Sequence, residues 1–168
     1  MATETSHQLD ASLYDTRDSR VRISQFRGKP VVLIYEDRGS VELNREFKNA
    51  LRHNGELPGA SNDVAIIAVA NVSAFNFFPV RGFALNSVRH VEEKAKHPIL
   101  CDWEEALARP PWNLPKASST VVVLNPAGEV VFQQSGKMTP EQREAAFATL
   151  RKHLPPSDGD AASKREHP

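Results

Sequence analysis

Residues 31–36 read VVLIYE, an unbroken run of large apolar residues that ends on a glutamate. A strand with one wet face alternates apolar and polar residues, whereas a continuous run has to be covered on both faces. The run therefore predicts a central strand in a layered sheet. DVAIIAVAN at 63–71 has the same character, and PILCDW at 98–103 is a shorter instance. STVVVLN at 119–125 leads through Pro126-Ala127-Gly128 into EVVFQQ at 129–134, which predicts a β-hairpin with glycine supplying the turn angles.

Helical periodicity fills the gaps. Leu43, Phe47 and Leu51 recur every four residues with Ala50 beside them, predicting a first helix from Ser40, its N-cap, to about Gly55. Val80, Phe83, Ala84, Ser87, Val88 and Val91 define a buried stripe on a second helix from about Val80 to Lys96. The third starts at MTPEQ, where Thr139 caps, Pro140 suits the first turn and Gln142 completes a capping box. Its inward face is Phe147, Leu150 and Leu154. A short helical turn is expected between the third strand and the hairpin. Alternation of this kind predicts an α/β layered domain with parallel strands in its first units and an antiparallel edge from the hairpin.

With 168 residues the chain suffices for one domain, read as 12–154. Residues 1–11 are polar and aperiodic, and PPSDGDAASKREHP at 155–168 reads as a disordered tail. Lys+Arg and Asp+Glu both total 21, so no general attraction to nucleic acid or anionic lipid is expected. No apolar run approaches the ~20 residues of a membrane span, and the N-terminal stretch has no signal-peptide core. A cytoplasmic location is the expectation, or a periplasmic one if a leader was trimmed.

The order strand–helix–strand, then hairpin and closing helix, resembles the thioredoxin fold. SQFRGKPVVLIYE (24–36) looks like the approach to the first central strand of thioredoxin-like and peroxiredoxin-like proteins. STVVVLNPAGEVVF (119–132) looks like their strand–turn–strand, and MTPEQREAAFATLRKHL (138–154) like their last helix. Within that superfamily, DRGSVELN (37–44) and the block from SSTVVVLNPAGEVVF (118–132) to GKMTPEQ (136–142) resemble the YtfJ-like family, a bacterial branch usually exported with a signal peptide. The resemblance implies a central mixed sheet flanked by helices, with a C-terminal β-hairpin plus helix. It also implies that redox cysteines would fall in the segment held here by Glu36–Ser40, and a cis-proline near Ser118 or Ser119. Neither is present, and disulfide exchange needs a low-pKa thiolate with a resolving partner.

Three candidate sites remain. Cys101 is the only thiol, so the chain forms no internal disulfide; it reads either as a one-cysteine peroxidase centre or as a small buried residue at a strand end. Asp102, Glu104 and Glu105 beside it disfavour a thiolate. Arg38 and Ser40, with Asp37 and Gly39, would hold an anion at a helix start, or simply cap the helix beside a solvated arginine. Phe75, Phe77, Phe78 and Phe83 crowd one segment of a chain with eight phenylalanines, as a docking surface or as core. The scattered histidines lack metal-ligand spacing, so neither a metal nor another cofactor is expected.

The resulting expectation is a redox-inactive thioredoxin-like binding or regulatory module whose partner is another protein. Asp37, Arg38, Gly39 and Ser40 would face Ser118 and Ser119 across its recognition surface, extended by Phe75, Phe77 and Phe78. The alternatives are a thiol peroxidase working through Cys101 and a structural subunit that dimerises through the aromatic patch.

Overall fold

The computed structural model describes residues 8–53, 63–95 and 97–154. Seven strands form one sheet: β1 (Ser12–Tyr14), β2 (Arg20–Arg22), β3 (Val31–Glu36), β4 (Ala65–Asn71), β5 (Ile99–Asp102), β6 (Thr120–Leu124) and β7 (Val130–Ser135), in the order β2-β1-β5-β4-β3-β6-β7. Strands β3, β4 and β5 run parallel, and β6 and β7 antiparallel to their neighbours. The α-helices are α1 (Arg45–His53), α2 (Val80–Ala95) and α3 (Pro140–His153).

Every residue of β3 is buried, as its apolar run requires. Its side chains divide between two cores with the period of a strand. Val31, Leu33 and Tyr35 join Leu13, Ile67, Leu100, Leu107 and Leu114 on one face. Val32 and Ile34 join Phe47 of α1 and Phe147 and Leu150 of α3 on the other. The Phe47 and Phe147 rings lie 5.2 Å apart at 43°, within the spacing aromatic pairs favour. The α3 capping box forms as expected: Thr139 Oγ1 accepts from the Gln142 N–H, and Gln142 Oε1 accepts from the Thr139 N–H. The turn at Asn125–Gly128 closes the β6–β7 hairpin, with Gly128 at φ +89°, where a Cβ would meet the Arg27 side chain at 2.6 Å.

The structure corrects several expectations. Helix α1 begins at Arg45 rather than Ser40, and residues 38–44 form turns. Ser40 is not an N-cap, because its hydroxyl accepts from the Asp37 N–H while its own N–H donates to Asp37 Oδ1. Leu43 therefore lies off the buried face, 39% exposed.

Helix α2 has the expected start but a different inward face. Ala84, Leu85 and Val88 pack on Val72, Cys101 and Trp103, while Phe83 and Val91 point into solvent. Polar anchors set that rotation. Glu92 accepts from Thr16 Oγ1 and the Ile99 N–H, and Arg81 pairs with both carboxylate oxygens of Asp18 while lying 4.3 Å over the Trp103 ring.

The β1–β2 hairpin was not foreseen. The polar stretch expected through residue 11 is also structured at its end, where Gln8 bridges Glu129 and Asp10 accepts from the Ser24 N–H. Residues 1–7, the proposed α1 end at Gly55, Lys96 and the tail at 155–168 lie outside the described residues.

Candidate functional site

The parallel strands end at one edge of the sheet, where open α/β sheets place their ligand sites. Successive residues at the end of β3 point to opposite faces there, and each enters a polar network.

On the α1 side, the buried Glu36 carboxylate takes Lys48 Nζ at 2.9 and 3.2 Å and the Ser119 hydroxyl at 2.7 Å. Ser119 Oγ accepts in turn from Asn44 Nδ2 at 2.9 Å. Asn44 also donates to the Gly136 carbonyl, and its Oδ1 accepts from the Met138 N–H. Lys48 reaches the Val41 carbonyl as well. Four side chains from three separate parts of the chain are thus joined, with nearby backbone groups, in one network. A carboxylate at the end of a fully buried strand requires such partners, which is why α1 is held where it is.

On the opposite face, Tyr35 donates its hydroxyl to Asp102 Oδ2 at 3.1 Å. Asp102, 2% exposed, also accepts the Ala106 and Leu107 N–H groups at 2.8 and 3.1 Å. Burial, then the Asp102 charge, push the Tyr35 phenol far above its usual range. A neighbouring chain of bonds runs from Asn71 through Ser73 to Glu105 and its ion pair with Lys116.

The expected site residues separate. Arg38 and Gly39 are exposed, Asp37 half-buried and Ser40 buried. They precede the α1 start by several residues, so the anion cradle of a helix N-terminus does not form around Arg38 and Ser40. Ser119 is fully buried and its side chain meets Glu36 and Asn44 rather than the Asp37–Ser40 turn, while Ser118 is half-buried. Phe75 is half-buried against the Cys101–Trp103 cluster, whereas Phe77 and Phe78 are exposed.

Cys101 is completely buried. Burial, followed by the charge of Glu92, pushes its thiol up to about 12, against a smaller lowering by Arg81. It stays protonated through the neutral range, and the thiolate is the reactive form. Sequence reasoning missed Asn44, Lys48 and the Tyr35–Asp102 pair. The one available signal was Glu36 itself, a charge at the end of an apolar strand.

Among the described residues no group of three or more His, Cys, Asp or Glu is placed to hold a metal ion, and no helix is long and apolar enough to cross a membrane. A cleft of about 600 Å³, lined by Arg27, Lys29, Asp63 and His153, lies at the other end of β3, away from all these residues.

The parallel β3–β4 pair with the β6–β7 hairpin and closing α3 defines a thioredoxin-like fold, and solved structures agree. A protein described as the thiol:disulfide interchange protein DsbE from Chlorobium tepidum superposes with a TM-score of 0.63 at 16% identity, over 88% of this chain and 95% of its own. The exposed lipoprotein thioredoxin Etrx1 from Streptococcus pneumoniae gives 0.60 at 18% identity, over 86% and 99%. The bacterioferritin comigratory protein of Xanthomonas campestris, studied for alkyl peroxide reduction, gives 0.57 at 17%, over 85% and 91%. No protein-family model and no curated protein matches the chain.

Proposed function

We propose that this protein is a thioredoxin-fold binding module that performs no thiol–disulfide chemistry. One observation carries the reading: the edge of β3, where the resemblance would put redox cysteines, is occupied by the hydrogen-bonded chain Lys48–Glu36–Ser119–Asn44. The sole cysteine is sealed in the core behind α2. Exchange needs a thiolate sulfur, and none of these four side chains carries one. The peroxidase reading through Cys101 finds no support in that burial. Within the superfamily we place the chain near the YtfJ-like branch, on DRGSVELN and the 118–142 block.

The recognition surface is the Asp37–Ser40 turn. Its two reciprocal Asp37–Ser40 hydrogen bonds fix the backbone and present Arg38 and Gly39 to solvent, a preorganised feature with one forked cation. The test is capture from lysate by immobilised wild type and Arg38→Glu. A protein is expected to be retained by the wild type and lost, by tenfold or more, from the variant. Equal retention by both removes Arg38 and its turn from the surface.

A further inference from the structure

The outer shoulder of α2 carries apolar residues that nothing in the described structure covers. Phe78 is 95% exposed, Phe83 70%, Phe77 56% and Val91 55%. These values overturn the core reading of the aromatic segment for all but Phe75. A phenylalanine side chain contributes roughly 150–250 Å² when buried, so the three rings and Val91 leave on the order of 500 Å² of apolar surface in water. That is the size of the largest apolar patch on a typical monomer, a patch that is often functional.

Residues 1–7, 54–62 and 155–168 contain no aromatic residue, and Met1 and Leu57 are their only large apolar side chains.

We infer that α2 is the interface of a homodimer, packed antiparallel on a second copy of itself about a two-fold axis at Ser87. Phe83, Ser87 and Val91 recur at i, i+4 and i+8 and form one ridge on the helix. An antiparallel pairing centred on Ser87 sets Phe83 of each copy against Val91 of the other. This is the reciprocal pattern a two-fold interface demands. The small serine at the crossing lets the helices approach. Its hydroxyl already donates to the Phe83 carbonyl at 3.1 Å, so covering it strands no donor. Phe77 and Phe78, just before the helix, extend the contact over the partner's C-terminal turns, where Glu93 and Lys94 give a rim of both signs.

The area fits this occupant. A standard interface buries about 800 Å² per partner, and homodimer interfaces are about 65% apolar, which asks for roughly 500 Å² of apolar surface on each side. The formal charge of zero adds no repulsion between copies. This inference is independent of the binding role assigned to the Arg38 turn.

The experiment is sedimentation equilibrium of the full chain, a monomer of 18.6 kDa, over a wide concentration range. The wild type is expected at twice the monomer mass. Phe83→Glu and Phe78→Ser are expected to return it to monomer mass with unchanged circular dichroism, and Val131→Glu, on exposed β7, to leave the dimer intact. Wild type that remains monomeric overturns the proposal and leaves the patch to a different protein. A dimer that survives both α2 variants, or open-ended association, also overturns it.

Discussion

Replacing Asp102 with alanine is expected to lower folding stability by about 3–5 kcal/mol, the largest loss among the polar residues discussed. The carboxylate is 2% exposed and accepts from three donors: the Tyr35 hydroxyl and the Ala106 and Leu107 N–H groups. Each buried donor left without a partner costs about 1–3 kcal/mol, and the three share one acceptor, so the losses fall together. The same carboxylate joins β3 to the loop after β5, so its removal is felt beyond the local turn. Asp102→Asn keeps a carbonyl oxygen that can accept from one or two of these donors and is expected to lose markedly less. Urea unfolding midpoints of the two variants against wild type decide the matter. A loss below about 1 kcal/mol for Asp102→Ala would mean that its donors find water in the folded state.

The second large effect is at Lys48. Its ammonium neutralises Glu36 in a pair whose side chains are only 18% and 10% exposed. Lys48→Met keeps the length of the stem and removes the charge, leaving Glu36 with Ser119 as its hydrogen-bond donor. Breaking a fully buried pair costs about 3–5 kcal/mol; partial exposure of Lys48 reduces the expected loss here to about 2–4 kcal/mol. The double replacement Glu36→Leu with Lys48→Met removes the stranded charge and is expected to recover a good part of that loss. The double-mutant cycle, read by chemical unfolding, checks this. Additive losses with no recovery would show that Glu36 does not depend on Lys48.

Asp102 and Lys48 both sit where the sequence was not readable, in contrast to the central strands, the hairpin and α3. The central strands were legible because β3 is covered on both faces, and a short, unbroken apolar run rich in β-branched residues favours a buried strand. The hairpin and α3 were legible because glycine in the turn and the Thr139–Gln142 box are local signals, set by residues a few positions apart. The two networks were not, because their partners are distant in the chain: 75 residues separate Asn44 from Ser119, 83 separate Glu36 from Ser119, and 94 separate Asn44 from Met138.

The α1 start was misread because serine is an equally good turn residue, and Asp37 offered Ser40 a closer partner than the helix did. On α2 the apolar pattern was real, but the ion pair of Arg81 and the bonds of Glu92 decided which side faces inward. Strands of three residues, as in β1 and β2, are too short to show a period at all.

On the proposed function, a polar network occupies the place where the thioredoxin-like resemblance would put redox cysteines, and the protein performs no thiol chemistry. The measurement that tests it most directly is turnover of peroxide and of a disulfide substrate by the purified protein, supplied with dithiol reductant, beside Cys101→Ser. Wild type and variant are both expected to match the uncatalysed rate. Turnover by the wild type that disappears in Cys101→Ser would contradict it and make this a one-cysteine enzyme whose buried thiol is exposed during the cycle.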